Sequence, residues 1–312
     1  ALGESVFGLA AGCLGNYVHA YGDTFAALPA HLRHEAAASM PTVFVTVDLA
    51  LSQAARTRGG ERVLVHAAAG GVGVAATQLA GALDATVYAT AGSSAKRYWV
   101  RSHAPAVRHV GSSRATTFPD VASMTLGAVD VVLNSLTSAG VVAATVSCMS
   151  SRARFVEIGK RDIWTAATLG AERSDATLRL VAVDFLPQAA MRKGMHRVAT
   201  CASTMQYRPL STTAHTLVRS HAALRQMSQA RHVGKIVVCS PRAVRDDVLA
   251  GGVGDGVLVC GGLGSLGALT ASWLASMSTC HLHLLGRSGR RGEGLEALVA
   301  AAAPRRMPRR DA

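Results

Sequence analysis

The stretch Glu61-Arg-Val-Leu-Val-His-Ala-Ala-Ala-Gly-Gly-Val-Gly-Val-Ala-Ala-Thr-Gln-Leu-Ala80 restricts this chain more than any other. A short apolar run, Val63 to Val65, has the length and β-branching of a buried strand, a glycine-rich turn follows, and a helical pattern comes next. That is the opening βα unit of a dinucleotide-binding fold. Further short β-branched runs at Thr86–Thr90, Val129–Leu133, Arg154–Ile158 and Leu180–Phe185 alternate with candidate helices. Strands in that rhythm predict an α/β fold with a doubly wound parallel sheet. In the turn, Ala69, Gly70, Gly71, Val72 and Gly73 are candidate cofactor-binding residues. Glycine lets the backbone approach a pyrophosphate, whose charge is held by the N–H groups opening the next helix. The plainer reading of the same glycines is a tight turn.

A fold of this kind that prefers NAD places a carboxylate about 20 residues further on, at the end of the second strand, for the ribose 2′-hydroxyl. No Asp or Glu lies between Asp84 and Asp120. Gly92-Ser-Ser-Ala-Lys-Arg97 instead offers Ser93, Lys96 and Arg97, a hydroxyl and two cations suited to a 2′-phosphate. NADPH is therefore the expected cofactor. Without a ligand, Ser93 would read as the N-cap of a solvated helix.

At 312 residues the chain is longer than a usual single domain. Residues 1–45 lack the strand–helix rhythm, are rich in glycine and turn residues, and read as part of a separate β-rich lobe. Residues 46–190 read as the cofactor domain and 191–240 as a return to the lobe through Lys235-Ile-Val-Val238. Residues 241–255 read as a linker, and 256–312 open with a second strand–glycine–helix unit, Gly256 to Gly267. The net charge of +13 accumulates toward the C-terminus, but aromatic content is only 4%, which argues against nucleic acid as a partner. Six scattered cysteines without a C-x-x-C pair suggest neither a metal site nor a disulfide framework. No apolar run reaches the roughly 18 residues of a membrane span. A cytoplasmic protein cut from a longer chain is expected, since Ala1 stands in folded-looking sequence.

Six ordered blocks then resemble a known family, the enoyl reductase domain of type I polyketide synthases and animal-type fatty acid synthases, within the medium-chain reductase superfamily. They are VFGLAAGCLGNYV from Val6, ERVLVHAAAGGVGVAATQLA from Glu61, VDVVLNSL from Val129, RFVEIGKRDI from Arg154, VAVDF from Val181 and MSQARHVGKIVV from Met227. The resemblance implies a Rossmann-type sheet with a partial GroES-like lobe, and NADPH-dependent reduction of an α,β-unsaturated acyl thioester without a metal. Lys160, which follows an apolar strand at its carboxyl end, would hold the enolate and donate the α-proton, and Asp184 is its implied carboxylate partner. By the same resemblance Thr46, Asn134, Ser135 and Leu136 would border the nicotinamide, and Gly159 would belong to the G-K-x-D turn. Arg114 would lie at the adenosine phosphate, and His232, Val233, Gly234 and Lys235 would close over the cofactor. His66 reads as a packed turn histidine.

In such synthases a ketoreductase follows, and its TGGxGxLG turn is similar to Gly261, Gly262, Gly264 and Gly267 here, with Cys260 in the threonine position and Arg287 ending the next strand. The second unit is thus an incomplete Rossmann βαβ segment. The implied partners are an acyl chain on the phosphopantetheine of a carrier domain and neighbouring dehydratase and ketoreductase domains, with a homodimer arising through the parent synthase. A stand-alone quinone or alkenal reductase and a non-catalytic NADP-binding fragment are the alternatives.

Overall fold

The structure is a computed structural model that describes residues 3–15, 17–120, 127–240, 257–261, 264–277 and 282–286. It divides into two compact units, Ala1–Ser240 and Pro241–Ala312. In the first, β1 (Val6–Gly8) and β2 (Phe25–Ala27) form a short antiparallel ladder. Helix α1 (His34–Ala38) follows, and α2 (Pro41–Val47) runs on as a π-helical segment, Asp48–Ala54. The cofactor-type core then unfolds as β3 (Arg62–Val65), α3 (Gly71–Ala82), β4 (Thr86–Ala91), α4 (Ser94–His103), β5 (Val107–Ser112), β6 (Val129–Asn134), β7 (Met149–Glu157) and β8 (Thr177–Leu180). Strands β9 (Thr212–Thr216) and β10 (Lys235–Cys239) pair in parallel as a separate ladder.

The six core strands lie in the order β5-β4-β3-β6-β7-β8, all parallel. Successive side chains of a strand point to opposite faces, and a parallel sheet is covered on both. Val63, Val65, Val87, Ala89, Val131 and Val156 accordingly pack on one face with α2, α3 and the helix Gln188–Ser203. Leu64, Tyr88, Val132 and Phe155 pack on the other with Val141, Val142 and Leu169. This strand order reverses its winding between β3 and β6, where ligands bind beyond the carboxyl ends of strands in such sheets.

The expected strand Leu180–Phe185 is corrected. β8 ends at Leu180, and Val183–Phe185 is a 3-10 turn that carries Asp184. The last ladder bond runs from Val181 N to the carbonyl of Glu157, where β7 stops. Beyond it no strand remains to pair, so Phe185 and Leu186 donate locally to Ala182 and Val183. Residues 1–45, read as β-rich, carry only β1 and β2 and turn helical from His34 onward. The helix Gln188–Ser203 crosses the boundary expected at 190.

His66 is buried between two threonines, with Nδ1 2.8 Å from Thr90 Oγ1 and Nε2 2.8 Å from Thr145 Oγ1. Thr145 donates its own proton to the Val141 carbonyl at 2.7 Å. It therefore accepts from Nε2–H, leaving Nδ1 to accept from Thr90, and both nitrogens of a neutral ring are used.

In the second unit, β11 (Val257–Cys260) and β12 (Leu282–Leu285) pair in parallel across the helix Ser265–Met277. That is one βαβ unit. Gly261 has φ +76°, and Gly264 and Gly267 lead into and occupy the helix. Gly262, Arg287 and the linker 241–255 lie outside the described residues. No helix among the described residues is long and apolar enough to cross a membrane.

Candidate functional site

The glycine turn is fastened on both sides. His66 N donates to the Leu133 carbonyl on β6, and Ala68 N donates to the Thr90 carbonyl on β4. Gly70 is the N-cap of α3, so the turn delivers the helix's opening N–H groups, which have no intrahelical partner. A Cβ on Gly73 would collide with Ala68 Cα and the Ala67 carbonyl, so the helix can spring from the turn this closely only with glycine there. Val72, beside it, is half-buried against the core.

The segment His232-Val-Gly-Lys235, some 160 residues further on, lies on this turn. Gly234 N donates to the Ala69 carbonyl at 2.8 Å, and Gly70 and Gly234 form a parallel bridge. Val233 packs on the same core. The Lys235 stem runs over Gly71, with Cδ 3.4 Å from where a Cβ would sit. Burial pushes the Lys235 ammonium below its ordinary pKa. His232 Nδ1 is buried without a hydrogen-bond partner, and burial, aided by the Lys96 charge, lowers its pKa. A cationic, partly desolvated wall thus faces a row of helix-opening amides. Such a wall fits an anionic ligand.

At the end of β4, Ser93 does cap α4, accepting from Lys96 N at 3.3 Å. Arg97 reaches back to the Ala91 carbonyl at 3.4 Å. Arg114 leans over Gly92, with Nε 3.4 Å from the place of its Cβ. Burial first, and then the Arg114 charge, lowers the Lys96 pKa. Lys96 Nζ donates to the Ala230 carbonyl at 2.6 Å, a tie to the segment that leads into His232. Ser93, Lys96 and Arg97, expected around a 2′-phosphate, and Arg114, expected at the adenosine phosphate, are therefore gathered here.

At the ends of β6 and β7 the loop Asn134–Leu136 and the turn Gly159–Lys160 stand side by side. Asn134 Nδ2 donates to the Leu136 carbonyl at 2.8 Å, and Leu136 N donates to Asn134 Oδ1 at 3.2 Å, a loop that spans Ser135. Lys160 and Asp184 form an ion pair with both side chains more than half exposed. Thr46 is buried in α2, with its hydroxyl donating to the Thr42 carbonyl at 2.7 Å. Three features went unread in the sequence. Glu157 is 2% exposed between the two loops, Lys96 is tied to Ala230, and Asp48, 1% exposed in the π-helical segment, holds Arg197 at 2.8 Å and Gln53 at 2.8 Å. Glu157 left a signal, as a lone acid ending an apolar strand.

The zinc-binding dehydrogenase family matches residues 106–238, and the KR domain family matches residues 256–307. The spectinabilin polyketide synthase system protein NorB of Streptomyces orinoci is 37% identical over 300 residues, covering 96% of this chain and 13% of that protein. Among solved structures, the CurF ER cyclopropanase from the curacin A biosynthetic pathway superposes with a TM-score of 0.68 at 30% identity, over 72% of this chain and 68% of its own. The chain belongs to the polyketide synthase enoyl reductase family. The CurK enoyl reductase is 33% identical with a TM-score of 0.65, over 70% of this chain and 66% of its own. The family read from the six sequence blocks, with a ketoreductase start behind it, is borne out. This enoyl reductase chain spans only 13% of the length of NorB, a far larger protein. Although one matching family is named for zinc, no three His, Cys, Asp or Glu side chains converge among the described residues, so a zinc donor set is not assembled there.

Proposed function

We propose that this chain reduces an α,β-unsaturated acyl thioester with NADPH, as the enoyl reductase segment of a polyketide synthase. The observation that carries the reading is the Lys160–Asp184 ion pair beyond the carboxyl end of β7, beside the loop Asn134–Leu136. The cofactor fits the residues present. The glycine turn and Lys235 would hold its pyrophosphate, Ser93, Lys96, Arg97 and Arg114 its 2′-phosphate, and the orphaned Nδ1 of His232 offers a further polar contact. When bound, NADPH supplies the hydride that reaches the β-carbon of the thioester.

The chain's own groups do the rest. As the β-carbon gains the hydride, negative charge moves to the thioester oxygen, where the Lys160 ammonium stabilises it. Lys160 then gives its proton to the α-carbon, closing the balance of one hydride and one proton. Asp184 orients the ammonium until that transfer. Residues 46–190 would carry the cofactor, and 1–45 with 191–240 part of the substrate lobe. The substrate would arrive on a carrier domain's phosphopantetheine, with dehydratase and ketoreductase as neighbours in a cytoplasmic synthase.

One relative is named a cyclopropanase and another an enoyl reductase, so the reading is tested on the product. Crotonyl-pantetheine incubated with NADPH should give the butyryl thioester. A ring-closed product from a halogenated substrate with no saturated product from crotonyl-pantetheine would overturn the assignment.

A further inference from the structure

Glu157 sits where two functional loops meet. It ends β7 directly across from Asn134 on β6 and Leu180 on β8. Its Oε2 accepts from Asn134 Nδ2 at 2.6 Å, and its Oε1 accepts from Gly159 N at 2.5 Å. Asn134 cannot turn its amide over to suit a different neighbour, because both of its polar atoms are already committed to Leu136. The group at position 157 must therefore accept on both sides. A carboxylate does so and a carboxamide does not.

The room for it comes from Gly159. A Cβ there would stand 2.7 Å from Glu157 Oε1 and 3.3 Å from Ile163 Cγ2, so the turn closes over the carboxylate only with glycine in place. An uncompensated buried charge is costly, and burial does push the Glu157 carboxyl above its ordinary pKa against the pull of these hydrogen bonds. A charge retained at such a cost calls for a use that an apolar residue at the end of β7 would not serve.

We propose that Glu157 is a positioning residue that fixes the Lys160 turn and the Asn134–Leu136 loop in a single register. The backbone it holds is Gly159 N, one residue before the ammonium, while its other oxygen holds the loop expected beside the nicotinamide. Glu157 touches neither substrate nor cofactor in this account. It acts through Lys160 on turnover and through Asn134 on cofactor affinity.

The proposal rests on the enoyl reductase reading for its kinetic limb only. Glu157→Gln is made in the native and the Lys160→Ala backgrounds, and kcat with crotonyl-pantetheine and the Kd for NADPH are measured in each. In the native background kcat should fall roughly 10- to 100-fold, whereas with Lys160 already removed the same change should cost about 2-fold or less, as for residues acting as a unit. The NADPH Kd should rise in both backgrounds. Equal losses of kcat in the two backgrounds, or no loss in either, would overturn the proposal. Should Glu157→Gln not fold, Gly159→Ala pushes on the same carboxylate from the opposite side and should show the same dependence on Lys160. A readout independent of activity is the Gly159 amide proton, which so short a bond to a carboxylate should shift far downfield in the NMR spectrum of the intact chain. An ordinary Gly159 shift, unchanged in Glu157→Asp, would refute the clasp even if no thioester is turned over, and absence of turnover with a shifted amide would refute only the enoyl reductase reading.

Discussion

Acidification from pH 7 to pH 5 should weaken the first unit, with a large share of the loss carried by one side chain, His66. Its ring is fully enclosed, and burial lowers its pKa from the ordinary 6.5 to about 3. The sign follows from which state binds the proton. Below the ordinary value the unfolded chain takes up a proton at this ring, while the folded site refuses it until about pH 3. Stability is therefore lost as pH falls through that window, and integrating the proton difference from pH 7 to pH 5 gives about 2 kcal/mol. The added proton would fall on Nδ1, since Nε2–H already donates to Thr145, and it would find an acceptor only if Thr90 reversed its bond. The assay is urea unfolding of the native protein and of His66→Gln at both pH values, followed by the fluorescence of Trp99 and Trp164. Every other titrating group is common to the two proteins, so the difference of differences isolates His66. A pH dependence equal in the two proteins, within about 0.5 kcal/mol, would refute the reasoning.

Three further outcomes are expected. Lys160→Ala should lower kcat by roughly 10- to 1000-fold with the NADPH Kd unchanged, and Asp184→Asn by less; the double variant should match Lys160→Ala, and multiplicative losses would contradict the pairing. Lys96→Glu should weaken NADPH by about 1–3 kcal/mol while leaving NADH nearly unaffected, as titration by cofactor fluorescence would register. Arg197→Ala removes the cationic partner of the buried Asp48 carboxylate and should cost about 2 kcal/mol in urea unfolding, less than a fully buried pair because Arg197 is half exposed. Much of that loss should be recovered in the Asp48→Asn, Arg197→Ala double variant.

The local half of this molecule was legible in its sequence. A glycine turn between a strand and a helix forces its own geometry, so β3, the turn and α3 stand where Glu61–Ala80 put them, and Ser93 caps α4 as its position before Ser94 suggests. Bonds between distant segments were not legible. Whether Glu157 faces Asn134 depends on the register of β7 against β6, which no spacing along either strand reveals. The tie from Lys96 to Ala230 spans more than 130 residues and uses a backbone carbonyl, which any residue supplies. The early end of the strand before Asp184 was missed for a related reason. The run Leu180–Phe185 has the composition of a strand throughout, but its neighbour β7 ends at Glu157, and the end of a partner is a tertiary fact.

The enoyl reductase assignment is tested most directly by isotope placement in the product. Crotonyl-pantetheine is incubated in deuterated water with NADPH, and in ordinary water with NADPH deuterated at the transferable position, and the thioester is analysed by NMR. The account predicts a butyryl thioester with one deuterium at the α-carbon in the first case and one at the β-carbon in the second, with the α-label forming far more slowly in Lys160→Ala. Deuterium from the cofactor at any other carbon, or crotonyl-pantetheine recovered unchanged while NADPH is bound, would contradict it.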